Sequence, residues 1–158
     1  MDYPNLLRKL EERLTENGAE GVDILSPEET GFLGGLLVME LSGFGGMANE
    51  ALAEFGIAGA EIPGAAVMMV TVTVLTEIPE ENLALVCAET ALVNGEIPLG
   101  GFAYNPSEGT VIYQLKVPVG SIHEEGELLE EADSCLALSL SMADRYSATI
   151  IRCGRERR

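Results

Sequence analysis

A chain of 158 residues, 47% hydrophobic and with positive mean hydropathy, has enough apolar matter to fold as one domain, which excludes an acidic disordered tail. Its formal net charge of −17 sets 26 Asp and Glu against 9 Lys and Arg, and no Lys or Arg stands between Leu14 and Leu115. Such a chain offers no basic footprint for nucleic-acid phosphates or anionic lipid, so neither a nucleic acid nor a membrane surface is an expected partner.

Residues 2–17 read as an amphipathic helix. Pro4 suits its first turn, Leu6, Leu7, Leu10 and Leu14 share a face, and Asn17-Gly18 is a stop signal. Residues 21–29 form a turn-rich connector with room for a short strand at 22–25. A strand is predicted over 32–41, carrying the pair Gly34-Gly35. Residues 42–64 read as a Gly-rich insertion, with a short helix over 47–55 stopped by Gly56 and a small-residue loop at 58–64. The run 66–75 is a strand, rich in valine and alternating through Thr71 and Thr73. A helix is predicted over 76–94, with Pro79 in its first turn and Leu83, Val86, Cys87 and Thr90 on one face.

Residues 99–104 and 110–117 flank the turn Asn105-Pro106-Ser107-Glu108-Gly109 and predict a β-hairpin that ends at Pro118. Its second strand alternates, with Val111, Tyr113, Leu115 and Val117 against Ile112, Gln114 and Lys116. Ser121 and Glu124 make a capping-box pattern, so a helix is expected from about Ile122 to Tyr146, extended if Ile150-Ile151 join it. Within 135–142 a strand is the rival, because Leu136, Leu138, Leu140 and Met142 alternate; the shortage of β-branched residues favours helix. Residues 152–158 add Arg152, Arg155, Arg157 and Arg158 and read as a basic, frayed tail, with an anion or acidic-partner contact as the alternative.

The fold class that follows is α+β within a single domain, 1–158. It has two layers, a mainly antiparallel sheet with helices on one side, in the order α-β-β(-β)-α-β-β-α.

Residue types that carry chemistry are sparse. The glycines at 31–35 and 43–46 lack the Lys of a phosphate loop, and bulges and turns account for them. His123 is the sole histidine, and its neighbours Glu124, Glu125 and Glu127 fit the charge preference of a helix start better than a metal set. Cys87, Cys135 and Cys153 form no CxxC, and the first two lie on apolar faces as small hydrophobes. The carboxylate pairs 28–29, 80–81, 124–125 and 130–131 fit solvated helix faces, and a sugar cleft would need aromatics, which are only 5%. No catalytic residue, cofactor or metal is expected. Residues 1–17 are charged and carry no export signal, and the run 65–75 is too short to cross a bilayer, so a cytoplasmic protein with reduced thiols is expected.

The pattern N-x-x-x-P-L-G-G-F-x-Y-x-P-x-x-G-x-V-x-Y-x-x-x-V-P over 94–118, followed by an acidic amphipathic helix, resembles the C-terminal half of type III secretion chaperone-like proteins, including the YbjN-type relatives. The pattern extends over about 66–147; elsewhere only element order is compatible, and the 42–64 segment departs from it. The resemblance implies a two-layer α+β homodimer that binds another polypeptide without ATP. A non-enzymatic, chaperone-like protein-binding module is therefore the first expectation, facing a basic or extended partner with an apolar sheet face or edge. Leu83, Val86 and Cys87 are its candidate interface. The alternatives are a small-molecule-binding domain with 42–64 as a lid, and a subunit whose role is assembly alone.

Overall fold

The computed structural model describes residues 1–46, 49–120 and 124–156. They build α1 (Tyr3–Glu16), β1 (Val22–Leu25), α2 (Pro27–Thr30), β2 (Leu36–Leu41), a 3-10 turn (Phe44–Gly46), β3 (Ala51–Gly59), β4 (Ala66–Leu75), α3 (Glu80–Asn94), β5 (Gly101–Asn105), β6 (Thr110–Val119) and α4 (Glu125–Arg155). The strands form an antiparallel six-stranded sheet, ordered β1-β2-β3-β4-β6-β5, with helices packed on it. The fold is α+β, as the sequence predicts.

Several boundaries differ from expectation for physical reasons. Four strands precede α3, because the predicted insertion at 42–64 contains β3, which lies between β2 and β4. Ala51, Ala53, Phe55 and Ile57 point inward and are buried, so the segment is a strand and not a helix from Ala51 onward; residues 47 and 48 lie outside the described residues. β2 begins at Leu36 and not at residue 32, because Gly34 and Gly35 sit at φ +83° and +109° in the turn before it. Pro79 immediately precedes α3 instead of sitting inside it. Pro118 lies within β6, beyond the last β5 partner, Gln114, so no bond to β5 is lost there. Along α4 the buried positions Leu128, Ala132, Leu136, Ser139 and Ala143 follow helical spacing, while Leu138 is exposed, which settles 135–142 as helix. The helix continues through Ile150 and Ile151 to Arg155, so Arg152 and Arg155 are helical and not a frayed tail. The capping pattern at Ser121, the start at Ile122, His123, Arg157 and Arg158 lie outside the described residues.

The chain divides into two compact units. The first comprises Met1–Glu40, Ala53–Val70 and Lys116–Ala137. Here α1 buries Leu6, Leu7 and Leu10 completely, each worth roughly 1.5–3 kcal/mol of transfer free energy. The Asp2 carboxylate accepts from Asn5 N–H at 3.1 Å and caps the helix. A β1–β2 hairpin pairs Val22 with Met39 and Leu25 with Leu36. Gly56 of β3 lies beneath Phe32: a Cβ there would stand 2.6 Å from the ring, so the missing side chain makes the seat for the aromatic.

Within this unit α1 is tied to the start of α4 by charge. Glu125 accepts from Lys9 and from Asn5, both at 2.6 Å, and Arg13 donates to Glu130 at 2.8 Å and Asp133 at 3.3 Å. The Lys9 ammonium holds the Glu125 carboxyl below the ordinary glutamate range, and Arg13 does the same to Glu130. At Glu29 the cause is the Ser26 hydroxyl, then the Ser26 N–H. Lowered folded-state values mean stabilisation that is present above the unfolded value, about 4.3 for Glu, and lost as pH falls through the folded ones. Melting temperature is therefore expected to hold from pH 7 to about 5 and to fall below about 4. Calorimetry across that range checks it, and a monotonic rise down to pH 3 contradicts it.

The second unit comprises Leu41–Leu52, Thr71–Leu115 and Leu138–Arg158. It holds the predicted hairpin. Gly109 closes the turn at φ +68°, donating to the Asn105 carbonyl at 2.9 Å, and β5 pairs with β6 from Gly101–Gln114 to Asn105–Thr110. Tyr113 is fully buried, donates its hydroxyl to the Leu99 carbonyl at 3.0 Å and meets Phe102 edge-on, ring centres 5.5 Å apart. The Asn94 side chain, at the end of α3, accepts from Phe102 N–H at 2.7 Å and donates to Phe102 C=O at 2.8 Å. One carboxamide thus does for the outer edge of β5 what a neighbouring strand would do.

Candidate functional site

The proposed interface residues do not share one environment. Val86 is completely buried, Leu83 is half-buried and Cys87 is exposed. The inward stripe of α3 is Asn82, Val86, Thr90 and Val93, rotated from the predicted face of Leu83, Val86, Cys87 and Thr90. The reason lies at Asn82. Its Nδ2 donates to the carbonyls of Gly154, at 3.2 Å, and Glu156, at 2.8 Å, so it caps carbonyl groups at the end of α4 from the side. A polar residue is drawn inward and the helix turns with it.

The outward face of α3 is consequently apolar. Ala84, Cys87, Ala88, Ala91 and Leu92 are all exposed, Leu92 by 68%. The N-terminal end carries Glu80 and Glu81, and the body of this face carries no charge. Asn82 and Thr90 are the polar members of the inward stripe, and Glu89, in the middle of the helix, is half-buried.

A second feature lies beside the end of β4. Asn49, Glu50, Val74, Leu75, Thr76 and Arg155 line a pocket of about 260 Å³. Asn49 is 2% exposed, donates to the Val74 carbonyl at 2.9 Å and accepts a hydrogen bond from Arg155. Glu50, Thr76 and Arg155 are exposed, and Glu77, next to the lining, holds φ +54°, the one positive φ on a non-glycine residue among the described residues. Close by in sequence, the buried Asn82 Oδ1 has no hydrogen-bond partner among the described residues.

The remaining candidates resolve into structure. Gly45, in the second glycine cluster, donates its N–H to the Asp144 carboxylate at 2.6 Å, so a carboxylate already occupies the place an anion would take. In the first cluster, Gly34 meets the Tyr3–Pro4 backbone and Gly35 meets the Leu25 carbonyl. Burial pushes the Cys135 thiol up, and Glu131 adds to it, which leaves little thiolate at neutral pH. Of the paired carboxylates, Glu29, Glu125 and Glu130 are engaged with Ser26, Lys9 and Arg13. Among the described residues no three His, Cys, Asp or Glu side chains gather as a metal site needs, and no helix is long and apolar enough to cross a membrane. No family model, curated protein or solved structure matches the chain.

Asn49, Asn82 and Asn94 escaped the sequence analysis as functional or organising residues. Their only sequence signal is an asparagine next to an apolar run, and Asn94 is the last residue of the helix predicted over 76–94.

Proposed function

We propose that this protein is a non-enzymatic, cytoplasmic protein-binding module of chaperone-like character that works as a homodimer, with the outer face of α3 as the dimer contact. The observation that carries this is the exposed, uncharged stripe Ala84, Cys87, Ala88, Ala91 and Leu92. The occupant that fits is a second copy of this chain. On a protein of net charge −17, two copies can approach only where carboxylates are absent, and the body of this face is such a place. The face is also self-complementary. About a two-fold axis at Ala88, antiparallel pairing sets the protruding Leu92 of each helix against Ala84 of the other.

The resemblance to type III secretion chaperone-like proteins points the same way, because those proteins are dimers that hold another polypeptide. Strand addition at Phe102 of β5 is disfavoured as the holding mode, since Asn94 already fills its outward N–H and C=O. An acidic surface around the dimer favours a basic client.

Sedimentation of the wild type and of Leu92→Glu tests the dimer. The wild type is expected to associate more tightly as salt rises from 0.05 to about 0.5 M, because like-charge repulsion is screened. Leu92→Glu is expected to be monomeric with its melting temperature at dilution unchanged. A wild type that stays monomeric at about 100 µM in high salt sinks the proposal, and so does a dimer that Leu92→Glu leaves intact.

A further inference from the structure

In the first unit, one side of the sheet is apolar where an antiparallel sheet ordinarily turns polar residues to solvent. Leu37, Met39, Phe55, Ile57, Met68 and Val70 fill the buried face, each at most 3% exposed. The alternate positions Val38, Ala58, Val67 and Met69 are half-buried and uncharged. Farther along β4 this face turns polar, at Thr71 and Thr73. The register sets Leu25 of β1 across from Leu36. A Cβ on Gly56 would stand 3.0 Å from Leu36 Cδ1 and 2.6 Å from the Phe32 ring, so Phe32 lies on this side too. Leu33 N–H donates to the Ile57 carbonyl at 2.7 Å, and Leu25 and Leu33 are both exposed. Exposed carboxylates flank the patch at Asp23, Glu28, Glu40 and Glu61. No Lys or Arg lies on β1 to β4 or between them. Those of α1 are paired with Glu12, Glu125, Glu130 and Asp133, and Lys116 on β6 is the only other Lys or Arg of the unit.

We propose that this patch holds a basic amphipathic helix of another polypeptide, with the helix's apolar stripe on Leu25, Leu33, Val67 and Met69 and its cations among the flanking carboxylates. The proposal rests on the reading of this chain as a protein-binding module, and not on its dimer contact. A second copy does not suit the patch, because its rim of carboxylates repels an equally acidic chain. An added strand does not suit it either. In β1 the Ile24 N–H already donates to the Asp23 carboxylate at 2.8 Å, so pairing there meets a filled donor, as it does at Phe102. A helix satisfies its own backbone groups and brings only side chains to a sheet face. The rim then defines the client by its charge: apolar residues at helical spacing, with Lys and Arg beside them.

The test uses the full chain, amide NMR and three synthetic peptides of about 18 residues at roughly 0.15 M salt. The first is a helix with leucines on one face and lysines on the other. The second replaces every leucine by serine, and the third replaces every lysine by glutamate. The leucine–lysine peptide is expected to shift the amide signals of residues 25, 33, 38, 58, 67 and 69, and each of the others to bind about tenfold more weakly. Leu25→Ser and Leu33→Ser, both at exposed positions, are expected to keep the fold and the dimer and each to weaken the leucine–lysine peptide about fivefold. Shifts gathered on the outer face of α3 instead would overturn this site and leave a protein-binding module standing. No shift with any peptide would overturn this site, with the dimer still judged by sedimentation. The site also falls if the serine–lysine peptide binds as tightly, if both variants bind unchanged, or if either variant loses the dimer, which would give the patch to a second copy.

Discussion

Gly34→Ala is expected to lower stability by about 3–4 kcal/mol, with melting displaced by roughly 10 °C. Two effects add. Gly34 sits at φ +83°, where an L side chain is strained by about 1–2 kcal/mol. A Cβ there would also stand 2.6 Å from the Tyr3 carbonyl carbon and 2.7 Å from the Pro4 nitrogen. Backbone cannot step aside as a side-chain tip can, so α1 would have to lift from its seat and loosen Leu6, Leu7 and Leu10 beneath it. Gly31→Ala supplies the control. Its φ is +74° but no atom lies within 4 Å of its Cβ position, so only the conformational part applies, about 1–2 kcal/mol. Urea unfolding of the two variants separates the terms, and equal losses would rule out the close approach.

Asn94→Ala is expected to destabilise by about 2 kcal/mol and to make the protein aggregate on heating. The substitution strips partners from Phe102 N–H and C=O, which face the outer edge of β5. Asn94 is exposed, so water replaces part of what is lost, and the figure stays below that for two buried orphaned groups. Asn94→Asp separates the two bonds: its carboxylate still accepts from the N–H but repels the carbonyl oxygen that Nδ2 met. It is expected to fall between wild type and Asn94→Ala in chemical unfolding. Light scattering during a thermal ramp reports the edge directly, and an Asn94→Ala protein that scatters no more than wild type contradicts the edge-plug role.

The parts of the fold legible in the sequence are those where local chemistry and tertiary packing agree. The β5–β6 hairpin is one, because Asn105-Pro106 and Gly109 dictate the turn and the β6 alternation matches its burial. β3 was hidden for the opposite reason. Its inward residues include Ala51 and Ala53, and Gly56 interrupts it to admit Phe32, so the strand lacks the β-branched signal that announces β4. At α3, hydrophobicity pointed the wrong way. Asn82 and Thr90 face inward while Ala88 and Leu92 face out, because capping the end of α4 outweighs burying one more leucine. The pocket was illegible altogether, since Asn49, Thr76 and Arg155 meet only through the fold.

Lys116 has an exposed side chain on β6, and from Leu14 to Asp144 it is the only residue after which trypsin can cut. A protease needs an extended, unpaired stretch of backbone, and the backbone around Lys116 is held in the sheet. Cleavage at this one bond therefore waits for β6 to leave its neighbours, and its rate reads out how often the strand opens. Within residues 14–144 the scarcity of cations thus leaves one bond as a clock for local unfolding, told apart by its fragments from cuts at the other eight Lys and Arg.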